Sequence, residues 1–174
     1  MTVDARTAPG TALGTVQLHV VDWADPRAEA LRAAMDDEIM PRYADRFTAP
    51  GTEAAAALDT AFAIDPATMV VTLIATVDGV PAAHAALRML GTEYELKRLV
   101  TLAGYRGRGL SKMLIQAVET EAAALGARRL ILQTGDRQPE AVRLYEHLGY
   151  TPIPIYPPYE SIWFSLCYER MLAA

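Results

Sequence analysis

Two apolar runs and a further strand follow one another with only two-residue turns between them, and this arrangement leaves the chain few folds to choose from. Met69 to Val77 stops at Asp78-Gly79, Val80 to Leu90 stops at Gly91-Thr92, and Glu93 to Leu102 follows. Asp-Gly suits a two-residue hairpin turn because both central positions favour φ > 0. After Leu102 the period changes. Leu110, Met113, Leu114, Ala117, Val118 and Leu125 share a 3.6-residue stripe, which predicts an amphipathic helix closed by Gly126. Arg129 to Gln133 reads as a short buried strand, and Pro139 to Leu148 as a helix closed by Gly149. A meander that runs into a β-α-β crossover requires a mixed sheet with helices on both faces.

The flanks extend this pattern. Val16, Leu18 and Val20 alternate with Gln17 and His19, as in a first strand. Asp25-Pro26 is a helix start, with Ala28, Leu31, Met35 and Ile39 on one stripe and Pro41 as the stop. Thr48 to Pro66 reads as a loop with room for a short helix over Glu53–Ala57, and the Pro-rich stretch Thr151 to Pro158 leads to a last strand over about Ile162–Met171. Residues 1–14 are rich in Thr, Ala and Gly and read as a flexible tail; residues 15–174 make a single domain.

Composition removes several classes. The formal charge of −5 argues against a nucleic-acid groove, which needs a concentrated basic surface. The lone Cys167 allows no internal disulfide and reads as a small buried hydrophobe. The first residues lack the basic and apolar regions of a signal peptide, and no window has the roughly 20 apolar residues of a membrane span. A cytoplasmic protein with no membrane partner is the expectation. His19 and His147 have no metal-ligand spacing, so no metal is expected.

The chemistry concentrates in the loop between the third meander strand and the long helix. Gly107 and Gly109 let the backbone approach a ligand and present successive N–H groups. The helix that follows has free N-terminal amides and a partial positive charge. Arg106, Arg108 and Lys112 add formal charge at the same end, where cations oppose the helix dipole unless an anion is present. A pyrophosphate-bearing ligand fits this loop. Neither a P-loop nor a dinucleotide-binding fingerprint is present.

Arg106-Gly107-Arg108-Gly109-Leu110-Ser111 resembles the Gln/Arg-x-x-Gly-x-Gly/Ala cofactor signature of the GCN5-related N-acetyltransferases (GNAT), with Ser111 at a position usually Gly or Ala. Glu95 to Thr101 looks like that family's fourth strand. Gln138 to Tyr150 looks like its fourth-helix motif, with Gln138 in place of the usual Asn. The resemblance implies an α/β fold: a mixed, mostly antiparallel sheet of about six to seven strands flanked by about four helices. It also implies acetyl-coenzyme A as co-substrate. The backbone of Leu99, Val100 and Thr101 would pair with the pantetheine arm. Residues Gly107 to Lys112, including Leu110, would hold the pyrophosphate, and Gln138 would add a hydrogen bond. The strands around Val100 and Leu132 would splay to make room.

Acetyl transfer to an amine needs a neutral nucleophile, an oxyanion donor and an acid for the leaving thiolate. A lysine-type amine, pKa about 10.4, must first lose a proton. The resemblance makes Tyr145 the general acid and the amide near Val100 the oxyanion donor; read alone, Tyr145 is a half-buried packing residue. Glu95 matches a strand glutamate used as base in some family members. Its other reading is an ion pair with Lys97 or Arg88 on an exposed sheet face. Glu93, His84 or a water chain are weaker candidates for the base.

For the acceptor, Asp36, Asp37, Glu38 and Tyr43 could attract a cationic amine while Tyr156 and Tyr159 wall the slot; they also read as a solvated helix end and packing. A small-molecule amine is the expected acceptor, with a protein lysine or N-terminal acetyltransferase and a non-catalytic acyl-CoA sensor as alternatives. Monomer and homodimer both remain open.

Overall fold

The structure is a computed structural model that describes residues 14–46 and 53–172. The expected N-terminal tail lies outside the described residues except for Gly14. β1 (Val16–Val21) leads to α1 (Pro26–Ile39), and a 3-10 turn over Met40–Tyr43 follows where Pro41 stops the α-helix. Asp25 caps α1, its carboxylate accepting from the Arg27 N–H at 2.9 Å. α2 (Glu53–Phe62) is longer than the sequence suggested, because Leu58, Ala61 and Phe62 all find apolar partners.

The meander forms as expected. β2 (Met69–Val77), β3 (Val80–Leu90) and β4 (Glu93–Thr101) run antiparallel. Asp78 and Gly79 both adopt positive φ, +51° and +80°, so Val77 lies opposite Val80 across a tight turn. α3 (Leu110–Ala124), β5 (Arg129–Gly135) and α4 (Pro139–His147) complete the crossover. β6 (Thr151–Ile153) is a short edge strand, the place where Pro152 is tolerated without its N–H. β7 (Ser165–Met171) starts later than expected. Ile162 and Phe164 are buried in an aromatic cluster with Tyr43 and Tyr159 instead of continuing the strand.

The seven strands are ordered β1-β2-β3-β4-β5-β7-β6, and only β4 and β5 are parallel. Alternation along β2 sends Leu73, Ala75 and Val77 to one face and Ile74 to the other. The first face packs on α3 and α4 through Leu114, Ile115, Val118 and Tyr145. The second carries α1, through Ala28 and Leu31, and α2, through Ala61. No helix among the described residues is long and apolar enough to cross a membrane.

Candidate functional site

β4 and β5 pair at only three positions: Tyr94 with Leu130, Glu95 with Ile131 and Leu96 with Leu132. Beyond them β4 continues to Thr101 and β5 to Gly135 without pairing to each other. The two strands therefore diverge beyond Leu96 and Leu132.

A β-bulge shapes the β4 wall. Ala86 pairs with Lys97 and His84 with Val100, so Ala85 alone faces both Arg98 and Leu99. Arg98 takes a left-handed φ of +54°. The extra residue reverses the facing of the strand. Leu96 and Leu99 pack toward α3, whereas Val100 joins Leu31 and Ile74 on the α1 face. Nothing in the sequence signals this bulge, because the left-handed position holds an arginine rather than a glycine.

The loop after β4 turns through two glycines ahead of a helix without a side-chain cap. Gly107 and Gly109 have φ of +74° and +79°, and a Cβ on either would meet nothing within 4 Å, so this backbone has an open face. α3 has no side-chain cap and no acid in its first turn. The Leu110 side chain is buried and anchors the helix start. Ser111 Oγ lies 2.9 Å from Thr101 Oγ1, a link between the end of β4 and the start of α3 that Gly or Ala would not make. Lys112 is exposed. Arg106 donates from Nε to the Thr101 carbonyl at 3.0 Å and from Nη2 to Glu38 on α1. Arg108 donates to the Gly104 carbonyl at 3.3 Å and lies against the Tyr105 ring. Gln138 occupies the N-cap position of α4, but its side chain does not cap.

Tyr145 lies on the α3 side of the sheet among Tyr150 and Tyr168, with ring centroids at 5.8 and 6.3 Å. Burial raises its pKa well above that of a free phenol, so the hydroxyl stays protonated. No described residue makes a hydrogen bond to that hydroxyl.

Glu95 lies on the opposite face, fully buried. Arg88 Nε donates to its Oε2 at 2.6 Å, while Tyr156 and Tyr159 donate to Oε1 at 2.8 and 2.9 Å. Arg88 Nη2 and Lys97 Nζ both donate to the Tyr159 oxygen, at 2.9 and 2.7 Å. The ion pair with Arg88 is thus present, but on a buried face rather than an exposed one. Tyr159 and the aromatic cluster around it cover this face. Burial, then the nearby Glu95 charge, push the Tyr156 hydroxyl far above its ordinary pKa. Burial pulls Lys97 down to about 8.

The other candidates are committed elsewhere. Glu93 is paired with Arg129 at the opposite end of β4 from the bulge. His84, fully buried, holds Arg98 and Arg32, and burial lowers its pKa to about 4. Asp36 pairs with Arg98 and Glu38 with Arg42 and Arg106, the Arg106 hydrogen bond being the main reason the Glu38 carboxyl titrates low. Tyr43 is buried, and its hydroxyl accepts from the Arg137 N–H at 2.8 Å. Arg42 in turn reaches Glu140 and the Arg137 carbonyl. The end of α1 and its following turn therefore tie together the loops that leave the two diverging strands. Cys167 is buried. Among the described residues no group of three His, Cys, Asp or Glu could hold a metal.

Comparison with known proteins agrees with this geometry. The uncharacterized N-acetyltransferase YjgM of Escherichia coli is 39% identical over 59 residues, which are 34% of this chain and 35% of that protein. The chain therefore matches only about a third of that relative's length. Among solved structures, a Klebsiella pneumoniae protein described as an acyl-CoA N-acyltransferase superposes with a TM-score of 0.70 at 24% identity, covering 91% of this chain and 98% of the other. The PaiA N-acetyltransferase of Thermoplasma acidophilum, solved with coenzyme A, has a TM-score of 0.63 at 14% identity, covering 90% and 99%. The acetyltransferase (GNAT) family matches residues 33–150, from within α1 to the end of the fourth-helix motif. The chain belongs to the GNAT acetyltransferase family.

Proposed function

We propose that the protein transfers an acetyl group from acetyl-CoA to a primary amine of a small molecule, by direct attack within a ternary complex. The observation that carries this reading is the seam between β4 and β5: three pairs, then a slot flanked by a bulge, a glycine loop and an uncapped helix. The residues fit the group. Leu99, Val100 and Thr101, which have no β5 partner although Val100 and Thr101 pair with β3, suit an amide-bearing arm laid beside β4, and Gly107 to Lys112 suit a pyrophosphate at the start of α3. Gln138, at the start of α4, is the side chain offered to the same ligand. A Thermoplasma protein of the same fold binding coenzyme A supports the choice of ligand.

When bound, acetyl-CoA supplies an activated acyl donor, a thioester. The protein does the rest. Tyr145, neutral and free of hydrogen bonds to described residues, donates a proton to the leaving sulfur from the α3 side. A backbone N–H by the bulge, near Val100, faces the oxygen on which charge develops. Glu95 is the base. Enclosed as it is, it acts through Tyr156: the hydroxyl of this half-buried residue passes its proton to Glu95 Oε1 as it takes one from the amine. Acid and base then work from opposite faces of the sheet, with the slot between them.

The acidic balance and single cysteine support a cytoplasmic enzyme, a monomer or homodimer, without nucleic-acid or membrane partners. The test is an acceptor screen that follows release of free thiol, paired with calorimetry of acetyl-CoA binding. No acetyl-CoA binding sinks the reading. Binding without turnover across a broad amine panel points to a sensor, and turnover of peptides alone to a protein acetyltransferase.

A further inference from the structure

The network around Glu95 has one cation more than it has anions. Arg88 and Lys97 are 4% and 8% exposed, and Glu95 is the only carboxylate among the described residues in contact with either. Arg88 takes one carboxylate oxygen at 2.6 Å; Lys97 Nζ stands 3.9 Å from the other and is left with the neutral Tyr159 hydroxyl as its close partner. Removing an ammonium from water without a counter-charge is unfavourable, and a chain tolerates it where something else completes the site. Lys97 is also the first residue of β4 beyond the last pair with β5, so it stands at the apex of the slot.

We propose that the acceptor amine supplies the missing anion: it is a small amino acid whose carboxylate seats against Lys97 while its amine meets Tyr156. This rests on the N-acetyltransferase reading above. Tyr156 Oη and Lys97 Nζ lie 2.8 and 3.9 Å from the same Glu95 oxygen, so the groups assigned to the amine and to the carboxylate are neighbours about one atom. With the acceptor in place, two buried cations face two anions. A polyamine or aminoglycoside would bring further positive charge to a site already in excess. Lys97 retains its charge near neutrality, with its pKa drawn down to about 8 by burial and held up by Glu95.

The test compares matched acceptors by thiol release: leucine with isopentylamine, phenylalanine with phenethylamine, lysine with cadaverine, and each amino acid with its methyl ester. The expected result is at least about tenfold higher kcat/KM for the free acids, with the esters behaving as the bare amines. Lys97→Met should reduce that ratio to within roughly threefold. Should this variant fail to fold, competition by isovalerate, which has the carboxylate but no amine, gives the same information on the native protein. Equal turnover of acids and bare amines, an undiminished ratio in Lys97→Met, or no competition by isovalerate overturns the proposal and leaves N-acetyl transfer standing. No acetyl-CoA binding and no thiol release with any amine removes the parent reading and this one together.

Discussion

His84 Nδ1 lies 2.7 Å from the carbonyl oxygen of Arg98, the residue that carries the left-handed φ of the β4 bulge. The other ring nitrogen faces the Arg32 guanidinium at 3.3 Å. The partners assign the tautomer: Nδ1–H donates to the carbonyl and Nε2 accepts from arginine. Arg32 is itself positioned, its guanidinium 3.7 Å from the Trp23 ring centroid and donating to the Trp23 carbonyl. A neutral imidazole on β3 thus holds the bulge on β4, one of the walls of the slot.

This arrangement has a pH signature. In the unfolded chain His84 takes up a proton below about 6.5, but in the folded protein only below about 4, because burial opposes the charge. Between these values the unfolded state binds more protons, so stability rises with pH through the window and is lost as pH falls from 6.5 toward 4. The full gap corresponds to about 3 kcal/mol. His84→Gln cannot titrate there. Its urea midpoint should vary less than that of the native protein between about pH 5 and 7, at a general cost of roughly 1–3 kcal/mol for the lost partners. Parallel pH dependences for the two proteins would show that His84 is not the group responsible.

Tyr145→Phe removes a hydroxyl that makes no hydrogen bond to any described residue, so folding should barely notice it. The expected loss is in turnover, roughly a hundredfold in kcat, with acetyl-CoA affinity preserved. Steady-state rates and calorimetry on the same preparation check this, and an undiminished kcat would remove Tyr145 from the role of acid.

Tyr156→Phe and Glu95→Gln should differ in kind. Glu95→Gln leaves Arg88 and Lys97 buried without their carboxylate and should cost about 3–5 kcal/mol of stability. Tyr156→Phe removes one of three donors to Glu95 and should cost about 1 kcal/mol, while kcat falls by at least tenfold if the hydroxyl relays the amine proton. Denaturation curves beside kcat separate the two effects. A Tyr156→Phe enzyme at full speed would mean that the proton reaches Glu95, or another base, by a different route.

Gly135 is required for a steric reason. A Cβ at that position would lie 2.1 Å from Tyr43 Oη and 2.7 Å from Cζ. Gly135→Ala should therefore push Tyr43 away from the Arg137 N–H and destabilise the protein by about 1–3 kcal/mol. In a Tyr43→Leu background the same substitution should cost clearly less. A double-mutant cycle by chemical denaturation measures that coupling, and strict additivity would contradict the contact.

Much of the scaffold was legible because it rests on local signals. Asp78-Gly79 marks its own turn, Asp25-Pro26 its own helix start, and the apolar stripe from Leu110 its own buried face. Arg106 and Gly109 marked the loop for the same reason: a short motif keeps its meaning without its neighbours. Of the Glu95 network the sequence offered only the ion pair with Lys97 or Arg88; its assembly with Tyr156 and Tyr159 did not show, because the members come from β3, β4 and the segment before β7, up to 71 residues apart. Charged residues alternating on β4 look like a solvated face until Tyr159 and its aromatic neighbours cover them. The bulge left no trace either, since an arginine at φ +54° is held there by a histidine on another strand and not by its own preference.

The brevity of the β4–β5 seam makes the sheet two half-sheets joined at a three-pair hinge. Each half is held by its own antiparallel pairings, but among the described residues the facing edges of β4 and β5 beyond the seam have no strand neighbour. A ligand whose arm carries amides would do what a missing strand does, and its binding would register as cohesion of the whole domain. At a hundredfold excess over Kd, such a ligand adds about 2.7 kcal/mol to the unfolding free energy. Heat should therefore reveal occupancy of the slot before any reaction is followed: the melting temperature itself becomes the titration.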